Sequence, residues 1–101
     1  MAIDIFSSEG LPAPVLKIDV EPKKIIVESD LMVVFTKRGY VPALHVREAR
    51  SKREFILYLS AFSLSKAVEV LRSGNNGMFI GLEFWIRKAT DDRMAPYVVE
   101  E

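Results

Sequence analysis

Two stretches of this chain carry apolar residues at every second position, and between them the rhythm changes. In Ala43–Ser60 the apolar set includes Leu44, Val46, Phe55, Leu57 and Leu59, and in Gly81–Lys88 it is Leu82, Phe84 and Ile86. Strand side chains alternate between faces, so each stretch predicts a strand with one apolar face. In 61–73 the spacing becomes Leu64, Ala67, Val68, Leu71, which is one face of a helix. A chain patterned this way folds as a sheet with one helix packed on it.

The remaining elements follow from breakers and β-formers. Ser7-Ser-Glu-Gly10 and Pro12-Ala-Pro14 predict a loosely ordered arm over 1–14, ahead of a β-rich core over 15–100 in one domain of 101 residues. Val15–Val20 predicts a short strand. Main strands are expected over 24–36, bent near Glu28–Asp30, then 42–48, 53–60, 78–88 and 95–100. Ser63 or Ser65 is the expected N-cap of the helix over 63–73, and Gly74 its C′ residue.

The order β-β-β-α-β-β makes the chain mainly β, and it resembles the OB-fold, a small five-stranded barrel with one helix. An alternative is a curved antiparallel sheet with a packed helix, as in the PC4-like and Whirly-type binders of single strands. Both resemblances rest on element order alone.

Composition excludes several chemistries. The chain has no cysteine, hence no disulfide, thiol catalysis or Cys-ligated zinc, and its single histidine, His45, rules out a His-rich metal site. Asp91-Asp92 reads as a solvated turn, and Gly74-Asn-Asn-Gly77 lacks the lysine of a phosphate loop. No nucleophile stands at a recognisable spacing from His45. The expectation is a protein that is not an enzyme and needs no cofactor. No apolar run approaches the ~20 residues of a membrane helix. The N-terminus has neither a basic region nor a long apolar core, so the expected location is cytoplasmic.

Charge is zero overall but unevenly spread. Residues 37–88 carry ten Lys/Arg against four Glu, +6, while residues 1–36 and 89–101 are each −3. A basic middle between acidic ends points towards a polyanion partner.

A symmetric hairpin over Ala49–Lys52 would put Arg47 opposite Glu54, His45 opposite Ile56 and Ala43 opposite Tyr58, and cross-strand partners share a face. A second hairpin over Arg38–Val41 assigns Val33 and Phe35 to the core and Met32, Val34 and Thr36 to the other side. That other side then collects Met32, His45, Arg47, Ile56, Tyr58, Trp85 and Arg87. The only Trp shares a face with Glu83 and Arg87.

Such a face suits single-stranded DNA or RNA. Bases stack on Trp85 and Tyr58, and phosphates pair with Arg47, Arg50, Lys52, Arg53 and Arg87. Lys37, Arg38 and Tyr40 extend the track. Sequence preference should be weak, because stacking and charge carry little base information. The same composition also fits a homodimer or other protein–protein surface, which favours Trp, Tyr, Met and Arg. It fits as well a second core closed by the N-terminal segment.

Overall fold

A computed structural model describes residues 5–101 of the chain; residues 1–4 of the expected arm lie outside them. The strands are β1 (Ile5–Ser7), β2 (Lys23–Val27), β3 (Met32–Thr36), β4 (Gly39–Glu48), β5 (Glu54–Tyr58), β6 (Glu83–Lys88) and β7 (Tyr97–Glu100), with one helix, α1 (Phe62–Ser73), between β5 and β6. The fold is mainly β, a seven-stranded mixed sheet in the order β1-β3-β4-β2-β6-β7, with β5 on the remaining edge of β4. Among the described residues no helix is long and apolar enough to cross a membrane.

Strand β4 organises the sheet. Met32 and Tyr58 flank Ala43 from opposite edges, and Val27 and Phe55 flank Val46. So β2 and β3 share one edge of β4 and β5 takes the other. The break between β2 and β3 is where the bent strand was expected. There Glu28 N–H donates to His45 O (2.9 Å), and the Ser29 hydroxyl accepts from His45 N–H (2.9 Å) in place of a ladder carbonyl.

The β4–β5 register is the expected one, with Arg47 opposite Glu54, His45 opposite Ile56 and Ala43 opposite Tyr58. The β3–β4 hairpin is tighter than expected. Thr36 pairs with Gly39 across a Lys37–Arg38 turn, and Gly39 takes φ 110°, a conformation open to glycine. The register shift is even, so every side chain keeps its face.

The main core lies between the sheet and α1. It holds Ile25, Val27, Leu44, Val46, Leu57, Leu59, Leu64, Val68, Leu82, Phe84 and Ile86, with Phe55 at its rim. Phe35, expected in this core, is 51% exposed. It sits at the far end of the sheet and rests on Tyr40 instead, ring centroids 5.1 Å apart.

The sheet does not close into a barrel. Among the described residues strand β7 pairs only with β6, and its Tyr97 N–H donates to the Ser63 hydroxyl (3.2 Å) of α1. The outer edge of β5 is taken by the N-terminal segment: Leu16 N–H donates to Ile56 O (2.9 Å) and Ile56 N–H to Pro14 O (2.8 Å). Closure would need that edge free for another strand.

The segment 5–16 is therefore a strap. It pairs as β1 with β3, passes Leu11 and Ala13 over the second face, and reaches β5. Val15–Val20 makes one isolated bridge at Val15 and no strand.

Three local expectations are corrected. Helix α1 starts after Ala61 with no side-chain cap, because the Ser63 hydroxyl accepts from Tyr97 and the Ser65 hydroxyl donates to Phe62 O (3.2 Å). Gly74 stays right-handed (φ −81°), and the left-handed positions are Asn76 and Gly77. Strand β6 begins at Glu83, since Leu82 N–H closes a turn on Phe79 O (3.1 Å).

Candidate nucleic-acid interface

Strand β6 sends Phe84 and Ile86 into the main core and Trp85 to the opposite face, where the indole remains 43% exposed. Cross-strand pairing fixes its neighbours: Lys24 on β2 and Glu100 on β7. Further along the same face, Ile26 pairs with Glu83 and with Arg47, and Arg47 with Glu54. The face read from the alternation is thus a real one, with an open zone and a covered one, and a third group of expected residues lies away from it.

The first zone is open. Trp85 and Pro22 line a cleft of about 830 Å³ together with Lys23, Lys24, Arg50, Glu21 and Glu48. That volume is within the range of small-molecule sites. A smaller cleft of about 390 Å³ shares Trp85 and Pro22 and is completed by Arg87, Val98, Glu100 and Glu101. The half-buried Arg87 guanidinium donates to Lys88 O (3.2 Å). At the hairpin tip Arg50, Lys52 and Arg53 are all exposed. Arg53 borders a separate shallow cleft with Pro12 and Pro14.

The second zone is covered. Met32, Val34, Ala43 and Ile56 form a buried cluster, and Phe6, Leu11, Ala13 and Tyr58 pack on it. Tyr58 is half-buried and packs on this cluster beside the strap, so it is less open than Trp85. This is the second core that the sequence allowed, confined to one part of the face.

Between the two zones Arg47 is committed to carboxylates. Its Nε donates to Glu28 Oε1 at 2.6 Å, its Nη2 to Glu28 Oε2 at 3.4 Å and to Glu54 Oε1 at 3.3 Å, and its Nη1 to Lys52 O at 3.2 Å. The hydrogen bond it donates to Glu28, and then the Glu28 charge, raise the Arg47 pKa above the ordinary value. A guanidinium held by two carboxylates offers little net charge to a phosphate. His45 lies beside it with Nε2 buried and without a hydrogen bond, 3.7 Å from Glu54 Oε1. Among the described residues no group of three His, Cys, Asp or Glu side chains could hold a metal.

The third group is remote. Lys37, Arg38 and Tyr40 sit at the opposite end of β4 from the Arg50 tip, and Tyr40, paired with Phe35, projects to the core-side face and not to that of Trp85. Ten residues at about 3.3 Å each separate the two ends by up to ~30 Å. Tyr40 is 68% exposed and Phe35 stands beside it.

So the structure groups Trp85, Arg50 and Arg87, leaves Lys52 and Arg53 at the nearby tip, partly covers Tyr58, neutralises Arg47, and sets Lys37, Arg38 and Tyr40 apart. It adds Lys24 and Pro22, which alternation alone did not mark. Their place beside Trp85 comes from β2 pairing with β6, two strands far apart in sequence. No protein-family model matches the chain, and no curated protein and no solved structure matches it either.

Proposed function

We propose that this domain binds single-stranded nucleic acid, with weak sequence preference and no chemical step. The observation that carries the reading is a half-exposed Trp85 set on a rigid strand in a cleft with Lys24 and Arg50. A base stacks on the indole for ~1–3 kcal/mol, and the two cations neutralise the adjoining phosphate. Lys52 and Arg53 add attraction from the tip.

The scaffold in this reading is an open relative of the OB arrangement, supported by element order once β2 and β3 are counted as one bent strand. OB domains use the face of their second and third strands for oligonucleotides. Here the strap covers part of the corresponding β4–β5 face, and the usable surface moves to β2 and β6.

The test uses the lone Trp as reporter. Titration with oligo-dT and oligo-U at low and moderate salt should quench Trp85 emission, more weakly as salt rises. Unchanged emission with both oligomers at low salt refutes the reading.

A second reading rests on a different surface. Ile5 (66% exposed), Phe35 and Tyr40 lie on one face of β1, β3 and β4. An apolar patch of this kind suits a protein partner or a homodimer. Concentration-dependent mass in solution, abolished by Phe35→Ser with Tyr40→Ser, is its expected signature; a monomer at all concentrations removes the homodimer form.

A further inference from the structure

Trp85 and Pro22 line both clefts, so the indole forms a wall between them. The two sides differ in charge. The larger is lined by Lys23, Lys24, Arg50, Glu21 and Glu48, but Lys23 pairs with Ile86 and Glu48 with Ile25, both on the core face, so Lys24 and Arg50 stand against Glu21 on the Trp85 side, a net +1. Lys23 turns its ammonium away from the cleft, donating to Lys17 O (2.9 Å). The smaller holds Arg87 against Glu100 and Glu101, a net −1. Arg87 also donates to a backbone carbonyl, Lys88 O.

A nucleotide inside a strand carries a phosphate on both sides of its sugar. If its base stacked on Trp85 with one phosphate at Lys24 and Arg50, the next phosphate would cross the wall and meet the two carboxylates. A terminal nucleotide meets no such conflict. It has one phosphate to offer the cationic side and a hydroxyl for the acidic side, where a carboxylate oxygen can accept from the O–H.

We infer that the Trp85 site receives the end of a single strand: base on the indole, phosphate between Lys24 and Arg50, free hydroxyl towards Glu100 and Glu101. This rests on the single-strand reading above and adds to it a preference for ends. Proteins that coat strand interiors carry cations along the whole track; here the balance changes at Trp85 from net positive to net negative.

The test compares a linear oligo-dT bearing hydroxyl ends with the same oligomer closed into a circle, both read by Trp85 quenching. The circle should bind about fivefold more weakly, the scale of an exposed charge pair. Glu100→Gln with Glu101→Gln should raise circle binding to the linear level, since both residues are exposed and the change leaves the β7 backbone in place. Lys24→Gln with Arg50→Gln should weaken both ligands alike. Equal binding of circle and linear strand by the unaltered protein overturns the end preference and leaves the single-strand reading standing. A circle that stays weak in the double Gln variant overturns the role of the carboxylates. Absence of quenching by either ligand overturns both readings.

Discussion

Phe84 and Trp85 are consecutive aromatic residues on β6, and their truncation should have very different consequences. Phe84 is 1% exposed at the centre of the main core. Removing a buried Phe side chain costs ~3–5 kcal/mol, cavity included. Trp85 is 43% exposed, so it buries just over half of its surface. For a side chain of about 250 Å² that is about 140 Å², or ~3.5 kcal/mol at about 25 cal/mol/Å². Compactness of the denatured chain reduces the figure by roughly 10–40%. The alanine Cβ retains a share, and an open cleft leaves no sealed cavity. Trp85→Ala should therefore cost ~1.5–2 kcal/mol and stay folded, while Phe84→Ala should approach or cross the limit of stability. Each kcal/mol corresponds to about 4–8 °C in Tm for a domain near this size. Urea unfolding followed by far-UV circular dichroism suits both variants, since one lacks the Trp. Binding of a labelled oligo-dT, read by anisotropy, should weaken about 5- to 150-fold in Trp85→Ala, the loss of one stacked base. Trp85→Phe should recover most of it. If Trp85→Ala destabilises as much as Phe84→Ala, the ring is structural, and the stacking role is refuted. Unchanged binding by folded Trp85→Ala refutes it equally.

Three further outcomes follow from the zones of the sheet face and from the helix. The slope of log K against log salt should fall by about 0.7 for each phosphate left without its cation in Lys24→Ala with Arg50→Ala, whereas Lys37→Ala with Arg38→Ala, at the other end of β4, should leave it unchanged; the reverse pattern would move the site. Ile56→Ala should cost ~2–5 kcal/mol, and deleting residues 1–13 should also destabilise the fold by uncovering Met32, Val34 and Ala43; chemical denaturation that finds the truncated chain as stable as the whole would show that the strap is not part of the second core. Glu69 is held below the ordinary carboxylate range, chiefly by hydrogen bonds from Arg72. A lowered folded pKa contributes stability above the unfolded value, lost as pH falls through the folded one. Glu69→Gln should remove that part of the acid sensitivity, and an unchanged stability–pH curve would show the pair to be without effect.

Local features of the chain were enough to identify much of this. Period-2 alternation marked Leu44, Val46, Leu57, Phe84 and Ile86 as one buried face, and the short Ala49–Lys52 connection set the β4–β5 register pair by pair. The helical spacing picked Leu64 and Val68, which α1 buries. These are legible because a strand or helix repeats on its own backbone period, and because a short hairpin loop restricts how two neighbouring strands can pair. The candidate site was only half legible. Alternation put Trp85, Arg87, Arg47 and Tyr58 on one face, yet could not say which of them water would reach.

Local pattern alone fixes the class of most elements, the inward and outward faces of β3, β4, β5 and β6, and the basic, aromatic character of the second face. Which segments meet across long stretches of chain is settled only on folding. Pro14–Leu16 occupies the β5 edge and prevents closure, the strap covers Ile56 and half-buries Tyr58, Glu28 neutralises Arg47, and β2 brings Lys24 beside Trp85. Each of these pairings is chosen by the free energy of the whole assembled sheet. No local period encodes it, because the partners come together only when the chain has folded.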